Sequence, residues 1–155
     1  MDLILWRHAE AEEPEHGGDD LARSLTGRGE KHATRMAAWL DQHLADGTRV
    51  LSSPALRCEQ TAQRLGRKYK LLNELAPGGT IEAMLDVAHW PAARQPVVIV
   101  GHQPQLGQMV SHLLRIDGGS CAFRKGSIWW LRTRERDGHA QTVVWAVLTP
   151  ELISP

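Results

Sequence analysis

The stretch VVIVGHQP, residues 97–104, decides the fold of this 155-residue chain. Its first four residues are all β-branched, and such an unbroken run is typical of a strand buried on both faces of a sheet. Gly101-His102 follows the strand, and Gln103-Pro104 starts a helix with an apolar face. That face comprises Leu106, Met109, Val110, Leu113 and Leu114. A buried strand that leads directly into an amphipathic helix indicates an α/β sheet with parallel strands.

The same pattern recurs twice toward the N-terminus. Residues 2–6 (DLILW) predict a buried strand, and the polar residues 9–22 predict a loop. A helix is expected from an N-cap at Thr26 to about Leu44, because its apolar residues recur at helical spacing. Residues 49–52 predict a second strand, after which Ser53-Pro54 starts a helix with proline at its first position. The inner faces of these two helices comprise Ala33, Met36, Ala37, Leu40 and Leu44, and Ala55, Cys58, Ala62 and Leu65.

The rest of the chain completes the prediction. Residues 70–72 indicate a third strand, and residues 80–89 a helix that Pro91 stops. Residues 126–134 and 141–149 read as a hairpin around Asp137-Gly138. We therefore expect a single domain over residues 1–155, with a three-layer α/β/α sandwich, a mostly parallel mixed sheet and a C-terminal antiparallel hairpin.

Composition excludes several classes of protein. The net charge is zero and the sequence pI is about 7.1, so no global charge attracts nucleic acid or an anionic membrane. Two cysteines, without a CxxC or Cys/His metal-binding spacing, favour a reducing cytoplasm. We expect no signal peptide, because the N-terminus lacks a basic region followed by a long apolar run. We also expect no membrane span, because no apolar run approaches the ~18 residues that one needs.

Polar residues follow three of the predicted strands where each strand ends. Arg7-His8 follows the first strand, Arg57 the second, and His102 the VVIV strand. Ligands of open α/β sheets bind at these carboxyl ends. Arginine suits a tetrahedral dianion because its planar fork donates two hydrogen bonds and stays charged. A cation beside His8 favours its neutral imidazole, which can attack phosphorus.

Each of these residues has a structural alternative. Arg57 could extend into solvent, and His8 could be a hydrogen-bonded structural residue. His102 could satisfy backbone groups where its helix begins. Gly101, for its part, would permit a ligand to approach the backbone closely.

Four segments then resemble the histidine phosphatase superfamily, and they occur in the family's order. LWRHAEAE (5–12) is similar to its Arg-His-Gly signature, with Ala9 in place of glycine, which a negative φ at Ala9 would permit. The other three segments are ARSLTGRG (22–29), LSSPALRCEQTA (51–62) and VIVGHQPQLG (98–107). The chain's short length and its NELAPGG segment most resemble the SixA-type phosphohistidine phosphatases, with a phosphoglycerate mutase-like fold.

The resemblance implies a role for each residue. His8 would be the nucleophile that carries a transient phosphoryl group, and Arg7 and Arg57 would bind the phosphoryl oxygens. His102 would donate a further hydrogen bond to them, and Arg23 would lie near the pocket. The reaction would need no metal or other cofactor. The substrate would be a phosphorylated protein or a small phosphate ester, and the oligomeric state stays open.

The general acid is the open point of this mechanism. Glu74, in LNELAPGG, is the best positional match for an acid that protonates a departing alkoxide. It could equally be a plain loop carboxylate, an acid of the loop 10–20 could serve instead, or no acid could be needed. That loop could also be a solvated segment or a rim that repels small anions; its acids are Glu10, Glu12, Glu13, Glu15, Asp19 and Asp20.

Two other functions fit the same motifs. One is a small-molecule phosphomonoesterase of the same superfamily, and the other is a non-catalytic protein that only binds phosphoryl groups. The presence of His8 with both Arg7 and Arg57 argues against the second.

Overall fold

The computed structural model describes residues 1–153, and these residues form six strands and four α-helices. The strands are β1 (Asp2–Arg7), β2 (Arg49–Ser52), β3 (Lys70–Leu71), β4 (Val97–Gly101), β5 (Ile128–Arg136) and β6 (His139–Leu148). The helices are α1 (Gly27–His43), α2 (Leu56–Gln63), α3 (Ile81–Val87) and α4 (Gln105–Leu114). Within this described part of the chain, no helix is both long enough and apolar enough to cross a membrane.

One sheet in the order β3-β2-β4-β1-β5-β6 contains all six strands. The first four strands run parallel, whereas β5 pairs antiparallel with both β1 and β6. This confirms the predicted mixed sheet with a C-terminal hairpin. The single domain over 1–155 stays a prediction, and residues 154–155 lie outside the described residues.

The register of the central strands brings their carboxyl ends together. Arg7 at the end of β1 lies opposite Gly101 of β4, and Ser52 at the end of β2 lies opposite Val100. The loops that follow β1, β2 and β4 therefore leave the sheet at one edge. This edge is the place where the sequence predicts a site.

Side-chain alternation along the strands produces three layers. Ile4 and Trp6 of β1 face one core, which also contains Met36 of α1 and Cys58 of α2. Leu3 and Leu5 face a second core with Leu106 and Met109 of α4 and Met84 of α3. Because successive strand residues point to opposite faces, the sheet lies between two helical layers, as predicted.

The predicted start of α2 is wrong. The sequence placed it at Ser53-Pro54, but the helix begins at Leu56 with Ala55 as its N-cap. The Ser53 amide donates to the carbonyl of Val100 at 3.0 Å, which keeps Ser53 attached to the sheet. The Ser53 hydroxyl accepts from the Ala55 amide at 3.2 Å, so the two residues form a turn that precedes the helix.

The predicted arms of the hairpin, 126–134 and 141–149, are displaced by one or two residues from the observed strands. Asp137 and Gly138 both have positive φ, 53° and 77°, and form a two-residue connection. Such a turn lets the strands run directly up to it, so β5 continues to Arg136 and β6 begins at His139. At the other end, Gly126 has a φ of 78° and belongs to the turn before β5.

The N-cap of α1 is the predicted one. The Thr26 side chain accepts a hydrogen bond from the Gly29 amide at 2.9 Å. The preceding loop, residues 9–22, contains only a single 3-10 turn at Asp20–Ala22. Its ends are held together where Ala11 bridges to Leu25.

A glycine in α4 allows the loop before β5 to pack against that helix. The Cys121 amide donates to the Gly107 carbonyl at 3.1 Å, and a Cβ at Gly107 would collide with the Cys121 carbonyl. We expect Gly107→Ala to lower the free energy of unfolding by about 1–3 kcal/mol, measured by urea denaturation.

The matched control is Gly27→Ala, at the start of α1. Nothing lies within 4 Å of a Cβ there, so this variant is expected to be neutral or slightly stabilising. Equal effects of the two substitutions would contradict the role assigned to Gly107.

Candidate active site

Backbone hydrogen bonds at the carboxyl edge of the sheet fix the first residues of three loops. The His8 amide donates to the Gly101 carbonyl at 3.2 Å, one residue before His102. The Ser53 amide donates to Val100 in the same strand. These bonds hold His8, Ser53 and His102 next to one another, and the ring centroids of the two histidines lie 5.4 Å apart.

His8 is buried and has one nitrogen committed to the backbone. Its Nδ1 lies 2.7 Å from the Ala9 carbonyl oxygen. Because a carbonyl only accepts, Nδ1 carries the ring proton. Nε2 therefore holds the lone pair, and no hydrogen bond to Nε2 is formed within residues 1–153. The ring is fixed in the tautomer that a nucleophilic Nε2 requires.

Burial keeps His8 neutral. The pKa of His8 is lowered to about 3: burial is the largest cause, the bond to Ala9 opposes it, and the charges of His102, Arg57 and Arg7 add smaller decreases. The sequence indicates only one cause for the neutral state of His8, the charge of the neighbouring Arg7. Arg7 contributes, but the loss of hydration on burial is the larger cause.

Arg57, the second residue of α2, points into the protein, so the alternative of a solvent-directed side chain is wrong. Only 4% of the residue is exposed. Nη1 donates to the Asp20 carbonyl at 2.8 Å, and Nη2 lies 3.2 Å from the Asp20 carboxylate and 3.4 Å from His102 Nδ1. Its buried Nε has no hydrogen-bond partner among the described residues.

Arg7, like Arg57, donates to a backbone carbonyl and has a buried Nε without a partner among the described residues. Its Nη1 donates to the Phe123 carbonyl at 2.7 Å. Burial lowers the pKa of Arg7, and the nearby charge of Arg57 lowers it further. Two cations thus lie close together, each with a donor that no protein oxygen in residues 1–153 satisfies.

His102 is held by side chains and not by the backbone of its helix. Its Nε2 lies 2.8 Å from Ser53 Oγ and 3.4 Å from Cys58 Sγ. Nδ1 lies 3.4 Å from Arg57 Nη2, and a guanidinium nitrogen can only donate, so Nδ1 accepts and holds the lone pair. Nε2 then carries the ring proton and donates it to Ser53 Oγ. Burial, followed by the charge of Arg57, lowers the pKa of His102 to about 4.

The predicted role of Gly101 is wrong. A Cβ at this position would lie 3.5 Å from Leu106 Cδ2, an ordinary packing distance inside the core. The glycine therefore faces α4 and not a ligand. Ala9, by contrast, fits as predicted, because it is not among the residues with positive φ and lies fully buried beside Ala33.

Arg23 joins the site through Asp20. Its Nη1 lies 3.1 Å from Asp20 Oδ1, and its Nε donates to the Glu12 carbonyl at 2.7 Å. The other oxygen of Asp20 contacts Arg57, so one carboxylate links an inner and an outer arginine.

Glu74 is not joined to this group. It is exposed on a short 3-10 turn, Asn73–Leu75, after β3. Within residues 1–153 no hydrogen bond or ion pair connects its carboxylate to His8, His102 or the three arginines. Its role as a general acid stays a prediction.

Sequence reasoning missed four contacts of the site: Asp20, Ser53, Cys58 and the Phe123 carbonyl. Ser53 directly follows β2, so its position at a strand end was a usable signal. Asp20 is one of six acids in its loop, and nothing in the sequence separates it from the others. A backbone carbonyl such as that of Phe123 leaves no trace in the sequence.

The arrangement is suited to an oxyanion. Buried donors of Arg7, Arg57 and His102 surround a neutral histidine with a free lone pair, and preorganised donors of this kind stabilise developing negative charge. Among the described residues, no three His, Cys, Asp or Glu side chains are grouped to hold a metal ion.

Comparison with known proteins then decides the family. Residues 3–78 match the model of the histidine phosphatase superfamily (branch 1). The phosphohistidine phosphatase SixA of Escherichia coli K12 is 31% identical over 123 residues, which cover 73% of this chain and 74% of SixA. The chain belongs to the histidine phosphatase superfamily.

Two further similarities agree with this membership. An uncharacterized Picosynechococcus protein is 30% identical over 165 residues, covering 100% of both chains. A solved structure of the protein histidine phosphatase SixA, complexed with tungstate, superposes with a TM-score of 0.81 at 26% identity over 97% of each chain. Within the superfamily this chain is thus a phosphatase of the SixA-type branch.

The depressed pKa values of the two histidines make this histidine phosphatase sensitive to acid. The folded-state values are about 3 for His8 and about 4 for His102, below the value of ~6.5 for an unfolded chain. At pH values between the folded-state and the unfolded-state pKa, the unfolded state binds more protons than the folded state. The free energy of unfolding therefore falls as the pH drops below about 6.5. We expect urea denaturation to show a loss of up to about 1.4 kcal/mol per pH unit for each histidine between pH 6 and 5.

A variant isolates the contribution of His8. In His8→Gln the slope of stability against pH should become shallower, whatever its stability at pH 7. Parallel slopes for the variant and the original protein would show that His8 has no depressed pKa.

Proposed function

We propose that this histidine phosphatase hydrolyses phosphohistidine in proteins, with His8 as the nucleophile. The observation that carries the proposal is the free Nε2 of His8, beside two buried arginines whose Nε groups have no partner among the described residues. The similarity to SixA, named for phosphohistidine, supports this choice of substrate. The tungstate complex of a related SixA supports an oxyanion site, because tungstate is tetrahedral like phosphate.

In the first step the lone pair of His8 Nε2 attacks phosphorus in line with the leaving group. Negative charge accumulates on the three equatorial oxygens. Arg7 and Arg57 donate to these oxygens through the Nε groups that are otherwise unpaired. We propose that His102, whose ring centroid lies 5.4 Å from that of His8, donates a further hydrogen bond to the same oxygens.

In the second step water attacks the phosphoryl group on His8. The P–N bond pair returns to Nε2, and phosphate takes both protons of the water. Nδ1 keeps its proton throughout because the Ala9 carbonyl holds it. In this mechanism fixed arginine cations stabilise the transferred group, so we propose that no metal or other cofactor participates.

The outer residues of the site suit a macromolecular substrate. Arg23, whose side chain is 19% exposed, lies beyond Arg57 and is linked to it by Asp20. We propose that Arg23 contacts the substrate near the phosphoryl group, while Arg57 and Arg7 bind the group itself.

His8→Ala is expected to abolish turnover, because it removes the only atom that accepts the phosphoryl group. Turnover should fall by more than about a thousandfold on every substrate. The assay is phosphate release from a phosphohistidine protein, together with alkaline detection of the phosphoenzyme.

His112→Ala, on the exposed side of α4, is the matched control and should retain full activity. A panel of phosphohistidine protein, phosphoserine and phosphotyrosine peptides and sugar phosphates identifies the substrate. Preference for a sugar phosphate would replace our proposal with a small-molecule phosphomonoesterase. Phosphate binding without turnover of any substrate would indicate a binding protein.

Glu74→Gln separates the two kinds of leaving group. A departing alkoxide needs a proton, whereas imidazole leaves without one, so we expect Glu74 to matter only for esters. Turnover of an alkyl phosphate should fall by about tenfold or more, and turnover of phosphohistidine should change little. Large and equal losses on both substrates would rule out this division.

A further inference from the structure

Asp20 is the one acid of the 9–22 loop whose carboxylate contacts the inner arginine of the site. Its Oδ2 lies 3.2 Å from Arg57 Nη2, its Oδ1 lies 3.1 Å from Arg23 Nη1, and its carbonyl accepts from Arg57 Nη1 at 2.8 Å. The single 3-10 turn Asp20–Ala22 begins at this residue, so the loop is ordered where it meets Arg57.

The carboxylate remains available for a further contact. Each of its oxygens receives one arginine nitrogen, although a carboxylate oxygen accepts two hydrogen bonds. The side chain is 54% exposed, so the free acceptor positions are accessible from solvent.

Asp20 and His102 contact the same nitrogen of Arg57. Arg57 Nη2 lies 3.2 Å from Asp20 Oδ2 and 3.4 Å from His102 Nδ1, so the carboxylate lies directly beside the inner arginine of the site. In an in-line reaction the leaving group lies opposite His8.

Asp20 is a base and not an acid under neutral conditions. Hydrogen bonding from Arg23 is the largest effect on the pKa of Asp20 and lowers it; burial opposes this shift, and the charge of Arg57 lowers the pKa further. It holds no proton to give to a departing alkoxide. It can accept a hydrogen bond from an N–H group.

We propose that Asp20 determines leaving-group specificity: its carboxylate accepts a hydrogen bond from the ring N–H of the substrate imidazole and thereby favours phosphohistidine over phosphate esters. This inference rests on the proposed function and names the group that recognises its substrate.

The bonds and charges of the step balance without an acid. The substrate ring carries phosphorus on one nitrogen and a proton on the other, and the protonated ring is cationic. Its N–H donates to Asp20, which favours this reactive form. As His8 Nε2 forms its bond to phosphorus, the substrate P–N bond breaks and its electron pair stays on the departing nitrogen. A neutral imidazole leaves with its proton in place.

A phosphate ester gains nothing from this carboxylate. Its leaving oxygen becomes negative, and a nearby negative charge opposes that change. Asp20 thus favours one leaving group and disfavours the other while it keeps Arg57 in place.

The experiment compares Asp20→Asn with Asp19→Asn on two small substrates, free phosphohistidine and p-nitrophenyl phosphate. Asp19 is the matched control because it lies in the same loop and caps the 3-10 turn, which asparagine also does. For Asp20→Asn, kcat/KM on phosphohistidine should fall about tenfold, because a charge-assisted hydrogen bond becomes a neutral one. On p-nitrophenyl phosphate it should stay equal or rise, and Asp20→Glu should restore the original ratio.

The ratio of the two kcat/KM values decides the proposal. Parallel losses on both substrates would overturn it, because Asp20 would then only hold Arg57 in place, and the proposed function would stand. An unchanged ratio with unchanged rates would overturn it as well. If the original protein hydrolyses p-nitrophenyl phosphate but not phosphohistidine, the proposed function itself fails, and this role of Asp20 fails with it.

Discussion

The burial of two like charges, Arg7 and Arg57, is the constraint on which the site depends. Moving a guanidinium out of water costs several kcal/mol, and placing a second one beside it adds repulsion. The structure offsets part of this cost with the carbonyls of Phe123 and Asp20 and with the Asp20 carboxylate. The two Nε donors stay uncompensated. We propose that a bound phosphoryl group supplies the acceptors and the negative charge that these two donors lack.

The same positive charge determines the state of both histidines. Burial and the arginines hold His8 and His102 neutral, with pKa values of about 3 and 4. A nucleophilic imidazole must be neutral. A neutral imidazole can also donate a hydrogen bond, because it still has one N–H. The Ala9 carbonyl places the proton of His8 on Nδ1, whereas Arg57 donates to Nδ1 of His102 and leaves the proton of that ring on Nε2, beside Ser53. One electrostatic environment therefore supports two different roles, and local hydrogen bonds distinguish them.

Sequence patterns predicted the parts of the fold that follow from periodicity and the parts of the site that follow from strand ends. The run VVIV and the Arg7-His8 pair were sufficient to predict where the site lies, because the carboxyl ends of parallel strands meet at the same edge of the sheet. The start of α2 was misplaced because the Ser53 amide bonds to the neighbouring strand, a long-range contact that helix signals do not contain. Gly101 was misassigned for the same reason, since its neighbour Leu106 becomes apparent only when α4 packs on the sheet.

The sequence alone could not identify Asp20, because its contact with Arg57 depends on the conformation of the loop 9–22. Six acids share that loop, and only the 3-10 turn at Asp20–Ala22 brings one of them to Arg57. This placement connects the fold to the chemistry of the leaving group. A carboxylate that two arginines hold ionised is poorly equipped to protonate an alkoxide. Imidazole, with an ordinary pKa near ~6.5, departs as a neutral molecule and requires no such proton. In our proposal, the electrostatics that let Arg57 bind a phosphoryl group thus also favour a nitrogen leaving group over an oxygen one.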